Sequence, residues 1–145
     1  MAKKTYSFEL KSNLSELDRL CHNLQQFCHS MGLHPKCLFE INLALDELFT
    51  NIISYGFQDD KEHQIKFTLT PQKDLLILCI EDDGVPFNPI EADTPDLECS
   101  ISECKIGGLG IHLIKNLMDE VCYRRCRGKN ILTMKKKIDA HEAAG

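Results

Sequence analysis

The sequence predicts an α/β protein built as a two-layer sandwich of helices on a β-sheet. The predicted elements run in the order β-α-α-β-β-loop-α-β-β. Because two helices come together instead of alternating strictly with strands, this order favours a two-layer sandwich over a doubly wound parallel sheet. The length of 145 residues, with 43% hydrophobic and 27% charged residues, suits one globular domain spanning residues 1–145.

The N-terminal part predicts a strand followed by two helices. Residues 5–11 alternate apolar and polar side chains, the pattern of a half-buried strand. Positions 12–13 offer an N-cap, and apolar residues then recur at helical spacing until Gly32. Pro35 opens a second helix at its first turn, and this helix ends near Gly56.

The middle of the chain predicts a hairpin and then a long loop. Apolar and polar residues alternate over 65–70, residues 71–74 form a turn, and residues 75–81 return as a more buried strand. From 82 to 110 no periodicity is sustained. A loop of this length in so small a protein is typical of a functional segment.

The C-terminal part predicts one more helix and a closing hairpin. Residues 109–118 have helical spacing of apolar side chains. Two strands over 121–125 and 131–138 are joined through residues 127–130, where a glycine permits a tight turn. We expect the tail, 139–145, to be frayed.

Charge and hydropathy argue against two broad classes of function. The net charge is −5, and the basic cluster at 135–137 is short, so broad electrostatic binding to nucleic acid is not expected. The longest apolar run, 75–80, has six residues, whereas a membrane-spanning helix needs about 20. No secretory signal follows the N-terminal lysines. We therefore expect a cytoplasmic protein with no membrane or direct nucleic-acid partner.

The eight cysteines contain no Cys-x-x-Cys pair, which weakens both a zinc site and a thioredoxin-like redox motif. In a protein without a secretory signal they are expected to be mostly reduced thiols that pack as small hydrophobic side chains. Cys99 and Cys104 fall in the long loop and are expected to be the most exposed pair. The six histidines are scattered, and we interpret them as incidental.

Glu47 and Asn51 stand four residues apart on the second predicted helix, so their side chains share one face. If angles around the helix are counted at 100° per residue from Leu38, the apolar stripe centres at about 320°, Glu47 lies at about 180° and Asn51 at about 220°. Both are therefore expected to point well away from the stripe. This face is either a solvated polar surface or one wall of a pocket, in which Glu47 is a base and Asn51 an oxygen ligand to magnesium.

An acidic turn directly follows the buried strand at 75–81. Asp82 is placed to accept a hydrogen bond from a ligand amine, and Gly84 permits close approach of a flat ring to the backbone. The alternative is an ordinary turn after a strand, for which Asp-x-Gly composition is also suited.

A glycine-rich segment opens the last predicted helix. Glycines at 107, 108 and 110 precede or begin that helix, where unpaired N–H groups attract anions. The alternative is a flexible loop end with a glycine cap. Neither a P-loop nor a strand-borne dinucleotide-binding motif is present in the sequence.

In this order and spacing, the three motifs resemble the N, G1 and G2 boxes of the GHKL ATPase/kinase superfamily. The matching strings are LALDELFTNI (43–52), DDGVPFNP (82–89) and GGLGIHLI (107–114). They look most like the small stand-alone anti-sigma regulatory factors and serine-protein kinases of the RsbW type. The resemblance covers about residues 5–138 and implies a Bergerat ATP-binding fold, a mixed, mostly antiparallel sheet covered by helices on one face.

The resemblance implies a role for each matched residue. Asp82 accepts from the adenine amino group above Gly84, Asn51 holds Mg²⁺ bridging the phosphates, and Glu47 is the general base for a substrate serine hydroxyl. Residues 88–106 are the ATP lid, which carries both loop cysteines and leaves open a redox control of the lid. The phosphates are wrapped by the glycine-rich segment that contains Gly108, Leu109, Gly110 and Ile111.

Two positions depart from the superfamily pattern. Pro86 replaces the second glycine of the G1 box, a variant that we associate with the small-protein subgroup. Gly128-Lys129-Asn130 stands where a Gly-Thr pair often closes the adenine site. Asn130 or Thr133 could replace the hydrogen bond of that threonine, and the resemblance leaves this choice open.

The resemblance implies an ATP-dependent serine-protein kinase that binds a sigma factor, or another output protein, and phosphorylates a STAS-domain antagonist. The family's dimeric habit implies a homodimer through the N-terminal strand and helix region. Because ATP-binding relatives without kinase activity share the same boxes, an ATP-gated binding module and a simple ATPase remain alternatives. A histidine kinase is disfavoured, because no helix pair with a phospho-acceptor histidine precedes the ATP-binding segment.

Overall fold

The computed structural model describes residues 5–88 and 114–138. Two helices and five strands fall in the predicted order. The helices are α1 (Leu17–Met31) and α2 (Pro35–Tyr55), and the strands are β1 (Tyr6–Lys11), β2 (Gln64–Gln72), β3 (Leu75–Asp82), β4 (Glu120–Cys126) and β5 (Lys129–Lys137). The strands form one sheet in the order β1-β2-β3-β5-β4, and all four described pairings are antiparallel. The predicted α/β class is confirmed.

Both helices begin and end at the residues that the sequence marks. Asn13 accepts a hydrogen bond from the Ser15 N–H, but it caps a short 3₁₀ turn, Leu14–Glu16, that leads into α1. Gly32 ends α1 in the left-handed conformation, with φ of 66°, where a residue without Cβ is favoured. Helix α2 has its proline in the first turn, where a missing N–H costs nothing.

The core lies between the two helices and one face of the sheet. Alternate residues of the three central strands are buried on this face, and Phe67 of β2 stacks on Phe8 of β1 at 5.0 Å between ring centroids. Phe49 of α2 contacts the same ring from above at 5.9 Å. Ile114 and Met118, in and beside the short helical stretch 114–117, also join this core.

The two hairpins differ slightly from the predicted turns. The turn between β2 and β3 consists of Lys73 and Asp74 alone, because Pro71 and Gln72 continue the ladder with β3. Pro71 is tolerated there since β1 pairs with β2 only as far as Leu69, so its missing N–H leaves no ladder bond unmade on that side.

The second hairpin, between β4 and β5, also turns on two residues. Arg127 has φ of 51° and Gly128 has φ of 77°, as a type I′ turn requires.

All six described cysteines are free thiols. Burial raises the pKa of Cys28 to about 12, so this thiol stays protonated and packs as a small hydrophobic side chain, as expected. Cys122 and Cys126, on the edge strand β4, are instead exposed. Cys99 and Cys104, predicted to be the most exposed pair, lie outside the described residues.

In the described part of the chain, no helix is long and apolar enough to cross a membrane.

Candidate functional site

The candidate site lies where the end of β3 meets the end of α2. The Val85 N–H donates to the Gly56 carbonyl oxygen at 2.8 Å, which joins the turn after β3 to the residue that ends the helix. A Cβ on Gly84 would lie 2.1 Å from that same oxygen, so only glycine permits this approach. The glycine of the Asp-x-Gly motif therefore has a packing role of its own.

Asp82, the last residue of β3, is buried at the end of this strand, with 5% of its surface exposed. Its Oδ1 accepts two hydrogen bonds of 2.9 Å, one from the Gly84 N–H and one from Nδ2 of Asn130. Burial raises the pKa of Asp82, and the two hydrogen bonds oppose that effect by favouring the charged form. The side chain is thus a buried acceptor at the mouth of the turn.

Asn130 pairs with Asp82 across β3 and β5 and is 4% exposed. Besides its bond to Asp82, its Nδ2 donates to the Val85 carbonyl oxygen at 2.8 Å. Its Oδ1 accepts from the Phe87 N–H, from the Tyr123 hydroxyl and from Nη1 of Arg125. Asn130 therefore ties the acidic turn to the two C-terminal strands.

Tyr123 and Arg125 were not found from the sequence, although alternation along β4 could have placed them on one face. Nη1 of Arg125 also donates to the Gly84 carbonyl oxygen at 2.7 Å, so the guanidinium spans the turn and the strand. What the sequence lacks is the register that sets β4 beside Asn130.

Thr133 does not join this cluster. It lies three residues beyond Asn130 on β5, and an odd separation along a strand places it on the opposite face of the sheet. There it pairs with Cys79, and its side-chain hydrogen bond lowers the pKa of that thiol against the larger effect of burial. Of the two candidates for the adenine-side hydrogen bond, the structure brings only Asn130 to Asp82.

Glu47 and Asn51 lie one turn apart on α2 and differ in their exposure. Asn51 is 9% exposed, whereas Glu47 is half-buried. The buried face of α2 also includes Cys37 and Ala44, which widen it beyond the predicted stripe towards Asn51. At 1.5 Å per residue, Asn51 lies about 7–8 Å along the axis from Gly56 and thus from the acidic turn.

His63 is a third residue that the sequence interpretation missed. Its Nε2 lies 2.8 Å from Oδ1 of Asp59, and its Nδ1 lies 3.0 Å from Oδ1 of Asp83, next to Asp82. The ring stacks on Phe57 at 4.3 Å. The hydrogen bond to Asp59 and then that to Asp83 raise the pKa of His63, because both favour the imidazolium.

The glycine-rich segment, with Gly108, Leu109, Gly110 and Ile111, and almost all of the predicted lid lie outside the described residues. Within 5–88 and 114–138, no three His, Cys, Asp or Glu side chains are grouped as a metal site. A single asparagine ligand, as predicted for Asn51, is compatible with Mg²⁺ because this ion keeps waters and ligand phosphates in its shell.

The antiparallel sheet, its helical layer and the buried Asp82 define the class as an α/β domain with a polar site at the end of its central strand. Residues 10–136 match the model of the histidine kinase-like ATPase domain, and the chain belongs to that family. The resemblance of the three motifs to the GHKL superfamily is thereby confirmed.

Similar proteins carry kinase or anti-sigma names. The serine/threonine-protein kinase BtrW of Bordetella bronchiseptica is 28% identical over 134 residues, which cover 92% of this chain and 94% of BtrW. The serine-protein kinase RsbW of Listeria monocytogenes is 26% identical, covering 82% of this chain and 77% of RsbW. The anti-sigma F factor of Bacillus subtilis is 26% identical over 84 residues, 58% of each protein.

Among solved structures, the Acinetobacter baumannii histidine kinase AdeS superposes with a TM-score of 0.48 at 16% identity, over 96% of this chain and 70% of that chain.

Proposed function

We propose that this chain is an ATP-dependent serine-protein kinase and anti-sigma regulatory factor of the partner-switching type. The observation that carries the proposal is the buried Asp82 acceptor beside Gly84, at the end of the helix that bears Glu47 and Asn51. The family model and the kinase names of two relatives support it.

In this proposal the base of ATP lies against the acidic turn, and its amino group donates to Asp82. A buried acceptor discriminates well, because a ligand that cannot donate leaves it unpaired. Asn51 would hold Mg²⁺, which neutralises phosphate charge when bound. A buried asparagine one helical turn from the half-buried Glu47 fits that role. The glycine-rich segment with Gly108 would bind the phosphates.

Glu47 would accept the proton of the attacking serine hydroxyl. Phosphoryl transfer needs in-line positioning and charge neutralisation, with modest assistance from a base. The half-buried position of Glu47 on the same helix face as Asn51 suits a base that must reach both water and a docked protein. The substrate would be a STAS-domain antagonist, and the competing partner a sigma factor or other output protein.

The same proposal includes a cytoplasmic homodimer that regulates transcription. β1 is one edge of the described sheet, with its outward-facing backbone unpaired in the described residues, which suits the predicted contact through the N-terminal strand and α1. The proposal also treats the chain as one nucleotide-binding domain, in which residues 88–106 are the ATP lid.

A second candidate is an ATP-gated anti-sigma module that transfers no phosphate, favoured by the relatives named anti-sigma F factor. The test incubates the chain, γ-labelled ATP and the STAS-domain protein of the same organism. If the chain is a kinase, label appears on a serine of that protein and is lost in Glu47→Gln. The matched control is Glu81→Gln, a substitution of the same kind on β3, where Glu81 pairs with Lys66 of β2, and it should keep the label. Bound ATP with no transferred label would support the ATP-gated binding module over the kinase. Phosphate release without a protein substrate would indicate a simple ATPase.

A further inference from the structure

The amide of Asn130 has one orientation that its surroundings accept. Three donors face its Oδ1, namely the Phe87 N–H, the Tyr123 hydroxyl and the Arg125 guanidinium. Two acceptors face its Nδ2, Oδ1 of Asp82 and the Val85 carbonyl oxygen. A rotated amide would set donor against donor on one side and acceptor against acceptor on the other.

This orientation determines what Asp82 offers to a ligand. Its Oδ1 is occupied by the amide of Asn130 and the Gly84 N–H, and no hydrogen bond among the described residues uses its Oδ2. Asp82 is the acceptor in both hydrogen bonds, so they favour its carboxylate over the carboxylic acid. Asp82 therefore presents an oxygen that accepts and does not donate.

Purine bases differ at position 6, the position that such an oxygen would contact. Adenine carries an exocyclic amino group, which donates, whereas hypoxanthine and guanine carry a carbonyl oxygen, which accepts. A carboxylate pairs with the first and repels the second, and the mismatch is costly in a buried site.

We propose that Tyr123 and Arg125 are positioning residues that act through Asn130 to keep Asp82 an acceptor, and so set the preference of the site for a 6-amino over a 6-oxo purine nucleotide. This inference rests on the proposed function, since it places the base at Asp82. Asn130 itself is saturated by five hydrogen bonds and acts through Asp82 without touching the base.

Arg125 adds a second constraint. Its bond to the Gly84 carbonyl oxygen holds the backbone of the turn at the residue that also lies against Gly56. Tyr123 and Arg125 alternate on β4, so one face of an edge strand supplies both contacts.

The experiment measures the affinities of ATP and inosine triphosphate by calorimetry from pH 5 to 8. The two nucleotides differ in the group at position 6 and in the proton that the 6-oxo base carries on N1. The wild-type protein is expected to prefer ATP. In Asn130→Asp, two carboxyl groups about 3 Å apart share a proton and gain a donor. The ATP preference should then fall about tenfold, and the pH at which ATP affinity is half lost should rise.

The double variant Tyr123→Phe, Arg125→Gln keeps Asn130 but removes two of the three donors to its Oδ1. Its ATP preference should fall about threefold. Asn23→Asp is the matched control, because Asn23 also accepts from a tyrosine hydroxyl, that of Tyr6 at 2.8 Å, on the far edge of the sheet. It should leave both the preference and the pH profile unchanged.

An unchanged ATP preference in the double variant would overturn the inference, and so would an unchanged preference in Asn130→Asp; either result would leave the proposed function standing. An equal loss in Asn23→Asp would overturn it too, since the effect would then be general. ATP binding with these shifts but without phosphate transfer would instead count against the kinase alone. A wild-type protein that binds neither nucleotide would overturn both.

Discussion

Gly84→Ala tests the contact that joins the acidic turn to α2. The φ of Gly84 is not positive, so its need for glycine is steric and not conformational. The added Cβ would lie 2.1 Å from the Gly56 carbonyl oxygen and 2.9 Å from its carbonyl carbon, where ordinary contact begins at 3.4 Å. Because both partners are backbone, the turn must move by about 1 Å or more.

The cost follows from two terms. Overpacking a tight site costs about 1–3 kcal/mol, and loss of the hydrogen bond from the Val85 N–H to Gly56 adds about 1 kcal/mol. The sum, about 2–4 kcal/mol, should lower the melting temperature by about 6–12 °C for a chain of this size. Because the turn carries Asp82, ATP affinity should fall as well.

The assay is urea unfolding together with ATP titration. Gly128→Ala is the comparison variant, since its Cβ would meet nothing within 4 Å but its φ of +77° is unfavourable for alanine. We expect it to lose only about 1–2 kcal/mol from backbone strain. A Gly84→Ala protein as stable as the wild type, with unchanged ATP affinity, would refute the close contact between turn and helix.

Three further substitutions test the site. Asp82→Asn should lower ATP affinity about tenfold or more yet leave stability at neutral pH almost unchanged, since burial already raises the pKa of Asp82; unchanged affinity in calorimetry would remove it from the site. Asn51→Ala should abolish the Mg²⁺-dependent part of ATP affinity while the circular dichroism spectrum stays that of the folded protein, and an unchanged magnesium dependence would contradict the metal role. In the wild type, the stability that His63 contributes is complete below about pH 6.5 and is lost as pH rises through its raised folded pKa. In His63→Gln that pH-dependent difference should vanish, and identical unfolding curves across pH 6 to 9 for both proteins would contradict the bridge between Asp59 and Asp83.

Periodicity was sufficient to predict the order of the described elements and nearly all of their ends. Local signals caused this success, since Gly32 and Pro35 act within their own turns. The small errors arose where pairing with another strand decided the outcome. Pro71 is in β2 because β1 stops short of it, which the local sequence does not encode.

The candidate site was predicted only in part, for the same reason. The buried position of Asp82 agrees with an acceptor at the end of a buried strand. The choice between Asn130 and Thr133 needed the register of β3 against β5. To predict the roles of Tyr123 and Arg125, the register of β4 against β5 is needed as well, and no local sequence pattern encodes that register.

His63 illustrates a different gap. One carboxylate partner, Asp59, lies four residues away in sequence, but the other, Asp83, follows β3 and comes close only when β2 and β3 pair. A histidine between two carboxylates is therefore a product of the fold and not of a motif.

The most direct test of the central claim is a crystal structure of the protein with ADP and Mg²⁺. The account predicts the adenine amino group within about 3 Å of a carboxylate oxygen of Asp82, with the metal on the Asn51 amide oxygen. A base bound away from the acidic turn, or one whose amino group points away from Asp82, would contradict it.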